Sequence, residues 1–256
     1  MSYHETFEFF AIDRCLTVAQ MRALRRISTR ATITPNRFFN SYDWGGLKGN
    51  PREMLRRYFD LFVHTGNGVP DGGMLRFPAG SINIASWRPY VVVPRGKTPP
   101  SSAASLVVQG KVAVLAMTPA EDPTLAAADP DEFDDSDESL RDDESADQAS
   151  WPVPLALIRS RLLAGDLSPL YLLWLLSVQY GDRRATAAEP PRPSGLDRRD
   201  GALRLFAEFL GLNANLLRTA LEDPPSAPRR AGQLLDAARA RAAPSRRGGR
   251  PRSTSR

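Results

Sequence analysis

Arginine gives this sequence its clearest binding chemistry. The chain contains 31 arginines and 3 lysines, and seven of the arginines fall at helical spacing in two N-terminal segments, so that each set shares one side of its predicted helix. If both helices cover the same face of a sheet, the two sets form one basic surface suited to phosphates. The alternative is that they only solvate the outer faces of the helices. The seven residues are Arg22, Arg25, Arg26 and Arg30 in the first helix, and Arg52, Arg56 and Arg57 in the second.

A second group of arginines lies at the C-terminal end of the sequence. Residues 228–256 contain nine basic residues and one acidic residue, a net charge of +8. The run Gly-Arg-Pro-Arg at 249–252 resembles the core of the AT-hook motif, whose arginines enter narrow A·T-rich minor grooves. The match is partial, because Gly248 stands where the motif has Arg or Lys. The alternatives are nonspecific polyanion binding or a tail that only adds solubility. The candidate residues are Arg246, Arg247, Arg250 and Arg252.

Residue types that catalyse reactions or bind metals are scarce in this sequence. His4, His64 and Cys15 are its only histidines and cysteine, and they form neither a CxxC motif nor a histidine pair at ligand spacing. There is also no GxSxG motif. We therefore predict no catalytic, cofactor-binding or metal-binding residue. The remaining enzymatic alternative uses carboxylates and arginines alone, in a deep pocket lined by Asp13, Asp43 or Asp60.

Apolar periodicity and capping signals predict the elements that position these residues. Residues 1–118 predict an α+β domain of the order β-α-β-α-β, for which ferredoxin-like arrangements are natural candidates, followed by a β-hairpin. Thr17 and Gln20 have the form of a capping box, and Asn50 followed by Pro51 starts the second helix. The glycine-rich loop at 45–50 matches no phosphate-binding motif, so we predict a structural turn there. The predicted strands are 6–12, 37–44, 74–78, 90–94, 105–109 and 112–117, and the predicted helices are 18–29 and 50–65.

The rest of the chain divides into three segments. Residues 119–150 carry 13 acidic residues and one basic residue, and we predict an acidic disordered linker or insertion because few of their side chains are apolar. Residues 151–223 predict an α-helical region. Its residues 170–176 are apolar on all sides of a helix, which predicts a place in the core or beneath a partner. Residues 224–256 predict a basic, mostly disordered tail with a short helix at 232–241.

Two stretches resemble a family of uncharacterised bacterial proteins. They are YHETFEFFAIDRCLT…MRALRRISTRATITPNRFFNSYDWGGLKGNPREMLRRYFD and GDLSPLYLLWLLSVQYGD…PPRPSGL, and the resemblance covers about 1–80 and 150–220. The family has no assigned activity, fold or catalytic residue, so the resemblance implies none here. The genes of its members look like neighbours of genes for SWIM zinc-finger proteins. This resemblance implies a nucleic-acid-linked complex with such a protein as partner. This sequence departs from the family pattern at Cys15, where Pro is usual, and around 66–73, where an Asn-Trp-Gly stretch is usual.

These observations favour a non-enzymatic interaction or adaptor protein of a bacterial intracellular complex. The expected partner is an unidentified protein. The alternative is a nucleic-acid-binding accessory factor that uses the arginines of the helices and the tail. One cysteine, no signal-peptide pattern and no apolar run of membrane length predict a cytoplasmic location without membrane attachment. Because residues 119–150 have a net charge of −12 between basic regions, we hypothesise that they compete with nucleic acid for the basic surfaces.

Overall fold

A computed structural model describes residues 4–43, 45–94, 103–118, 151–196, 200–222 and 229–242. In these residues an antiparallel sheet of seven strands packs against helices, which confirms the predicted α+β class and its helical C-terminal half. The strands are β1 (Glu5–Phe10), β2 (Thr32–Thr34), β3 (Arg37–Tyr42), β4 (Leu61–Gly66), β5 (Val69–Pro78), β6 (Ala104–Gln109) and β7 (Val112–Met117). The helices are α1 (Val18–Ile27), α2 (Pro51–Tyr58), α3 (Ile84–Trp87), α4 (Pro152–Leu163), α5 (Ser168–Gln179), α6 (Gly201–Phe209), α7 (Ala214–Leu221) and α8 (Ala231–Ala242).

The first four strands and two helices form a β-α-β-β-α-β unit. β1 pairs antiparallel with β3 and with β4, and β2 pairs with β3, so the order is β2-β3-β1-β4. This split β-α-β arrangement is the ferredoxin-like candidate of the sequence analysis. Beyond β4 the sheet continues through β5, β7 and β6. The last two strands are the predicted hairpin, and Gly110 supplies the positive φ of +59° in its turn.

The second helix is shorter than its apolar pattern predicts. α2 ends at Tyr58, and the segment Leu61–Gly66 forms β4 instead of the last helical turns. The prediction is wrong because the apolar residues after Tyr58 continue the helical pattern in the sequence. These residues form a strand because they pair with strands on both sides, and aromatic and β-branched side chains pack well in a sheet. β2 is also missing from the prediction. Residues 90–94, predicted as a strand, contribute one isolated parallel bridge to β6.

One hydrophobic core lies between the sheet and the helices α1 and α2. Phe7 and Phe9 of β1 both belong to it, as the alternation of the strand predicts. Leu24 of α1 and Leu55 of α2, which are fully buried, close it from the other side. α1 and α2 therefore lie on the same face of the sheet.

The opposite face of β4, β5, β7 and β6 packs against the C-terminal helices. Leu75 and Leu115 are fully buried in this second core, and every residue of α5 is buried. Gly73 allows α6 to approach the sheet, because an added Cβ would lie 3.0 Å from Cζ of Phe209. The C-terminal helices and the sheet thus share one core, which favours joint packing over two independent modules.

Among the described residues, no single helix is both long enough and apolar enough to span a membrane. α4 and α5 have the necessary length and apolar composition only when taken together, and their axes are bent by 113°.

Candidate functional site

The two helices that carry the predicted basic surface approach each other at one end. Gly49 lies at this junction, since an added Cβ would come within 2.9 Å of Ile27 and 2.7 Å of the sulfur of Met54. Ile27 is the last residue of α1, and Met54 lies in the first turn of α2. The C-terminal end of α1 and the N-terminal end of α2 therefore approach each other on one side of the sheet, and their outward arginines belong to one layer. We call this layer the α1–α2 surface.

α1 begins at the predicted capping box, which is confirmed by the bonds between Thr17 and Gln20. Arg22 and Arg26 are exposed on the helix, which contains no acidic residue. Arg30 is exposed too, but it lies in the turn before β2 because the helix ends at Ile27 instead of the predicted residue 29.

Arg25 has a structural role instead. Its guanidinium donates to the carbonyl oxygens of Thr29 and Ala31, at 2.9 and 2.6 Å, and so satisfies backbone acceptors just beyond the end of α1. In the described part of the chain, Arg22, Arg26 and Arg30 make no such internal bond.

α2 begins at Asn50, whose side chain accepts a hydrogen bond from the backbone N–H of Glu53 at 3.1 Å. Glu53 also accepts a bond from Arg56 at 3.0 Å and lies 3.9 Å from Nε of Arg57. One carboxylate therefore offsets part of the charge of both arginines. The loop before Asn50 works as a structural turn, in which Gly45 has a φ of +85°.

Arg52 differs from its neighbours on α2. Partial burial and the adjacent charge of Arg56 lower the pKa of its guanidinium. One of its terminal nitrogens is buried and has no hydrogen-bond partner among the described residues. The exposed arginines of the α1–α2 surface that have neither an acidic partner nor a capping role in the described residues are thus Arg22, Arg26 and Arg30, on α1 and in the following turn. The predicted tail residues Arg246, Arg247, Arg250 and Arg252 lie outside the described residues.

Two of the three carboxylates considered for catalysis, Asp13 and Asp60, belong to an ion-pair network, and Asp43 does not. Asp60 is buried, accepts a bond from Arg76 at 2.8 Å, and accepts two more from the backbone N–H groups of Ile12 and Asp13. Arg159 of α4 is also buried and donates two bonds to Asp13, at 2.9 and 2.6 Å. Hydrogen bonds from Arg159 lower the pKa of Asp13, although partial burial opposes the shift. This network fastens α4 to the ends of β1, β4 and β5.

The histidines lie at the other end of the same strands. Nδ1 of His4 is 2.8 Å from Oδ1 of the exposed Asp43. The ring of His64 stacks on Phe7 with centroids 4.5 Å apart, and its two nitrogens lie 3.5 Å from Glu5 and 3.6 Å from Asp71. Within the described ranges no group of three or more His, Cys, Asp or Glu side chains is arranged to hold a metal ion. The only cysteine, Cys15, is exposed with a free thiol.

A second surface is absent from the sequence-based list of sites. On the face opposite α1 and α2, Cζ of Arg37 lies 4.8 Å from the ring centroid of Phe39 and 5.7 Å from that of Phe10. Glu8 is 3.2 Å from the same guanidinium. The sequence RFFNSY could have predicted this surface, because adjacent residues of a strand point to opposite faces and Phe38 and Phe39 must therefore lie on different faces.

Comparison with known proteins does not assign a family. No family model, no curated protein and no solved structure matches the chain. The resemblance to the bacterial family and the SWIM zinc-finger partner that it implies therefore stay predictions.

Proposed function

We propose that this protein is a binding component of a cytoplasmic bacterial complex and that it attaches to nucleic acid through its α1–α2 surface. The observation that carries the proposal is the set of exposed arginines at 22, 26 and 30, which lie on or just after a helix with no acidic residue. Arginine is well suited to phosphate, because its planar guanidinium donates two parallel hydrogen bonds to neighbouring oxygens. The exposed free thiol of Cys15 fits a reducing compartment.

Neutralising three arginines tests this proposal. Arg22, Arg26 and Arg30 are replaced together by Gln, and binding to a fluorescent duplex is measured by anisotropy over a range of salt concentrations. We expect weaker binding and a slope of log K against log salt that is smaller by roughly 2 to 3, since each lost phosphate contact removes nearly one released counterion.

The control separates a local surface from net charge alone. Arg184, Arg204 and Arg218 are exposed in the C-terminal half, and their replacement by Gln removes the same three charges. The control variant should keep nearly all of the affinity and the salt slope. Equal losses in the two triple variants would contradict a specific role for the α1–α2 surface.

The acidic segment allows a second test on the same surface. Residues 119–150 lie outside the described residues, but their net charge of −12 opposes that of the arginines. If the segment competes with nucleic acid, deletion of 120–149 raises the affinity for the duplex at low salt, and the gain shrinks as salt screens the charges. An unchanged affinity would rule out this competition while leaving the binding surface itself in place.

An adaptor role is favoured by a different observation, on α4. Val153 and Leu157 are one turn apart and are 62% and 51% exposed, and Leu163 is exposed near the end of the same helix. Exposed large apolar side chains that neighbour each other on an outer face, as Val153 and Leu157 do, are typical of protein–protein contacts. Affinity purification after nuclease treatment, read by mass spectrometry, should retain a discrete partner that a Leu157→Asp variant loses. A partner retained equally by both proteins would place the contact elsewhere.

A further inference from the structure

The face of the sheet that packs on the C-terminal helices is not covered along its whole width. On β1, β3 and β2, seven of the side chains on this face are half-buried or exposed, and Thr6 is the buried exception. We call this area the open half of the sheet. The seven are Glu8 and Phe10 on β1, Arg37, Phe39 and Ser41 on β3, and Thr32 and Thr34 on β2.

Two aromatic residues are the unusual members of the open half. An antiparallel sheet commonly has one solvated face, and polar side chains are sufficient for that. Phe10 packs partly against the second core, whereas Phe39, within the described residues, belongs to neither core. β1 and β3 are the two central strands of the four-stranded unit, so both rings lie in its middle.

Arg37 places a planar cation over these rings. Its guanidinium carbon lies 4.8 Å from the ring centroid of Phe39, and the Arg37 side chain is 39% exposed. Bases of single-stranded nucleic acid stack on aromatic rings and on arginine planes, and sheets with aromatic residues on their central strands are a common platform for them. The exposed hydroxyls of Thr32 and Ser41 lie on the same face as the rings and offer hydrogen bonds to base edges, whereas the Thr34 hydroxyl donates to Asn36.

Positive charge lies at the edge of this platform. β2 is the last strand of the sheet on that side and is three residues long, and α1 packs over it from the opposite face. Arg30 is exposed two residues before β2 begins. A strand of nucleic acid that crossed β2 would therefore have its backbone near Arg30 and its bases over the rings of the open half.

We propose that the open half binds the bases of single-stranded nucleic acid, with stacking on Phe39 and Arg37. This inference rests on the proposed function and makes it more specific, because it assigns the ligand to the single-stranded class.

The experiment compares two substitutions at one position. Phe39→Leu keeps an apolar side chain and removes the ring, and Phe39→Trp enlarges the ring. Binding is measured by anisotropy with a labelled single strand of about 20 nucleotides and with its duplex. We expect Phe39→Leu to weaken single-strand binding by about 5-fold to 100-fold with little change for the duplex, and Phe39→Trp to retain or strengthen single-strand binding.

A third variant keeps the test decisive if Phe39→Leu is poorly folded. Thr32 is exposed on the edge strand directly opposite Phe39, and Thr32→Glu places a carboxylate beside the proposed path of the phosphates. It should weaken single-strand binding, whereas the matched Thr32→Gln variant should not. The inference is overturned if all four variants bind the single strand as the wild type does, or if Phe39→Leu weakens both ligands equally.

Failure of the inference and failure of the proposed function give different results. If the triple arginine variant loses affinity but the variants at 32 and 39 do not, the α1–α2 surface stands without the stacking platform. If neither set changes binding, both are wrong.

Discussion

One face of the sheet has two different surroundings. On β5, β7 and β6 it carries Leu75, Leu115 and Leu106, which are fully buried beneath C-terminal helices. On β1, β3 and β2 the same face carries threonine, serine and an Arg37–Glu8 pair around two half-buried phenylalanines. The register of the strands places all of these side chains on one side of the sheet, so the two halves differ in residue type and in helical cover, and not in the direction of their side chains.

The covered half of the sheet contributes to stability, and the open half has the composition of a binding surface. The covered half excludes water from a continuous core, and its residues are selected for volume and shape. The open half has too few apolar side chains to form such a core, yet it keeps rings that a solvated surface does not need. The network of Asp13, Asp60, Arg76 and Arg159 marks the boundary, because it joins α4 to the strand ends where the cover stops.

The largest expected effect lies at this boundary. Asp60→Asn removes the charge that faces Arg76 and Arg159 in a buried position, and we expect the free energy of unfolding to fall by about 3–5 kcal/mol. The control is Asp43→Asn, whose carboxylate is 70% exposed and should cost about 0–1 kcal/mol. Urea denaturation measures both. Equal, small losses would show that the network does not hold α4 to the sheet.

The two halves should also differ when an apolar side chain is shortened. Leu115→Ala in the covered half should lower the free energy of unfolding by about 2–5 kcal/mol, because it leaves a cavity in a packed core. Phe39→Leu in the open half should cost no more than about 1 kcal/mol. A large loss at Phe39 would mean that the open half is a core in its own right, which would break the comparison.

The sequence predicts these two halves unequally. The hairpin, β1, α1 and both N-terminal caps follow from local signals, because alternation, helical spacing and capping residues act within a few positions. β4 could not be predicted in the same way, since Leu61–Gly66 becomes a strand by pairing with β1 and β5. The contact between Arg159 and Asp13 joins residues 146 positions apart, and no local pattern indicates it.

The candidate site shows the same limit. The spacing of the arginines predicts that they share one side of α1. The capping role of Arg25 could not be predicted, because it depends on the turn that brings the carbonyl oxygens of Thr29 and Ala31 within reach. The open half is hidden for another reason. Alternation assigns Phe39 to a face, and only the extent of the helical layer decides whether that face is covered.

A smaller effect concerns the fit of α6 against the covered half. Gly73→Ala should cost about 1–3 kcal/mol, because the new Cβ would lie 3.0 Å from Cζ of Phe209 and 3.4 Å from the carbonyl oxygen of Phe62. Gly80→Ala is the matched control, since nothing lies within 4 Å of a Cβ there. Thermal unfolding of the two variants distinguishes them. If Gly73→Ala behaves as the control does, α6 is less tightly seated on the sheet than the burial of Phe209 indicates.

The smallest expected effect is an acid dependence at the boundary. Hydrogen bonds from Arg159 lower the pKa of Asp13 below the value of about 3.9 expected in the unfolded chain. The stabilisation from this pair is therefore fully present above that value and is lost as the pH falls through the lower, folded pKa. In urea titrations at a series of acid pH values, Asp13→Asn should lose less stability on acidification than the wild type does. Parallel curves for the two proteins would show that Asp13 does not contribute to the acid sensitivity of the boundary.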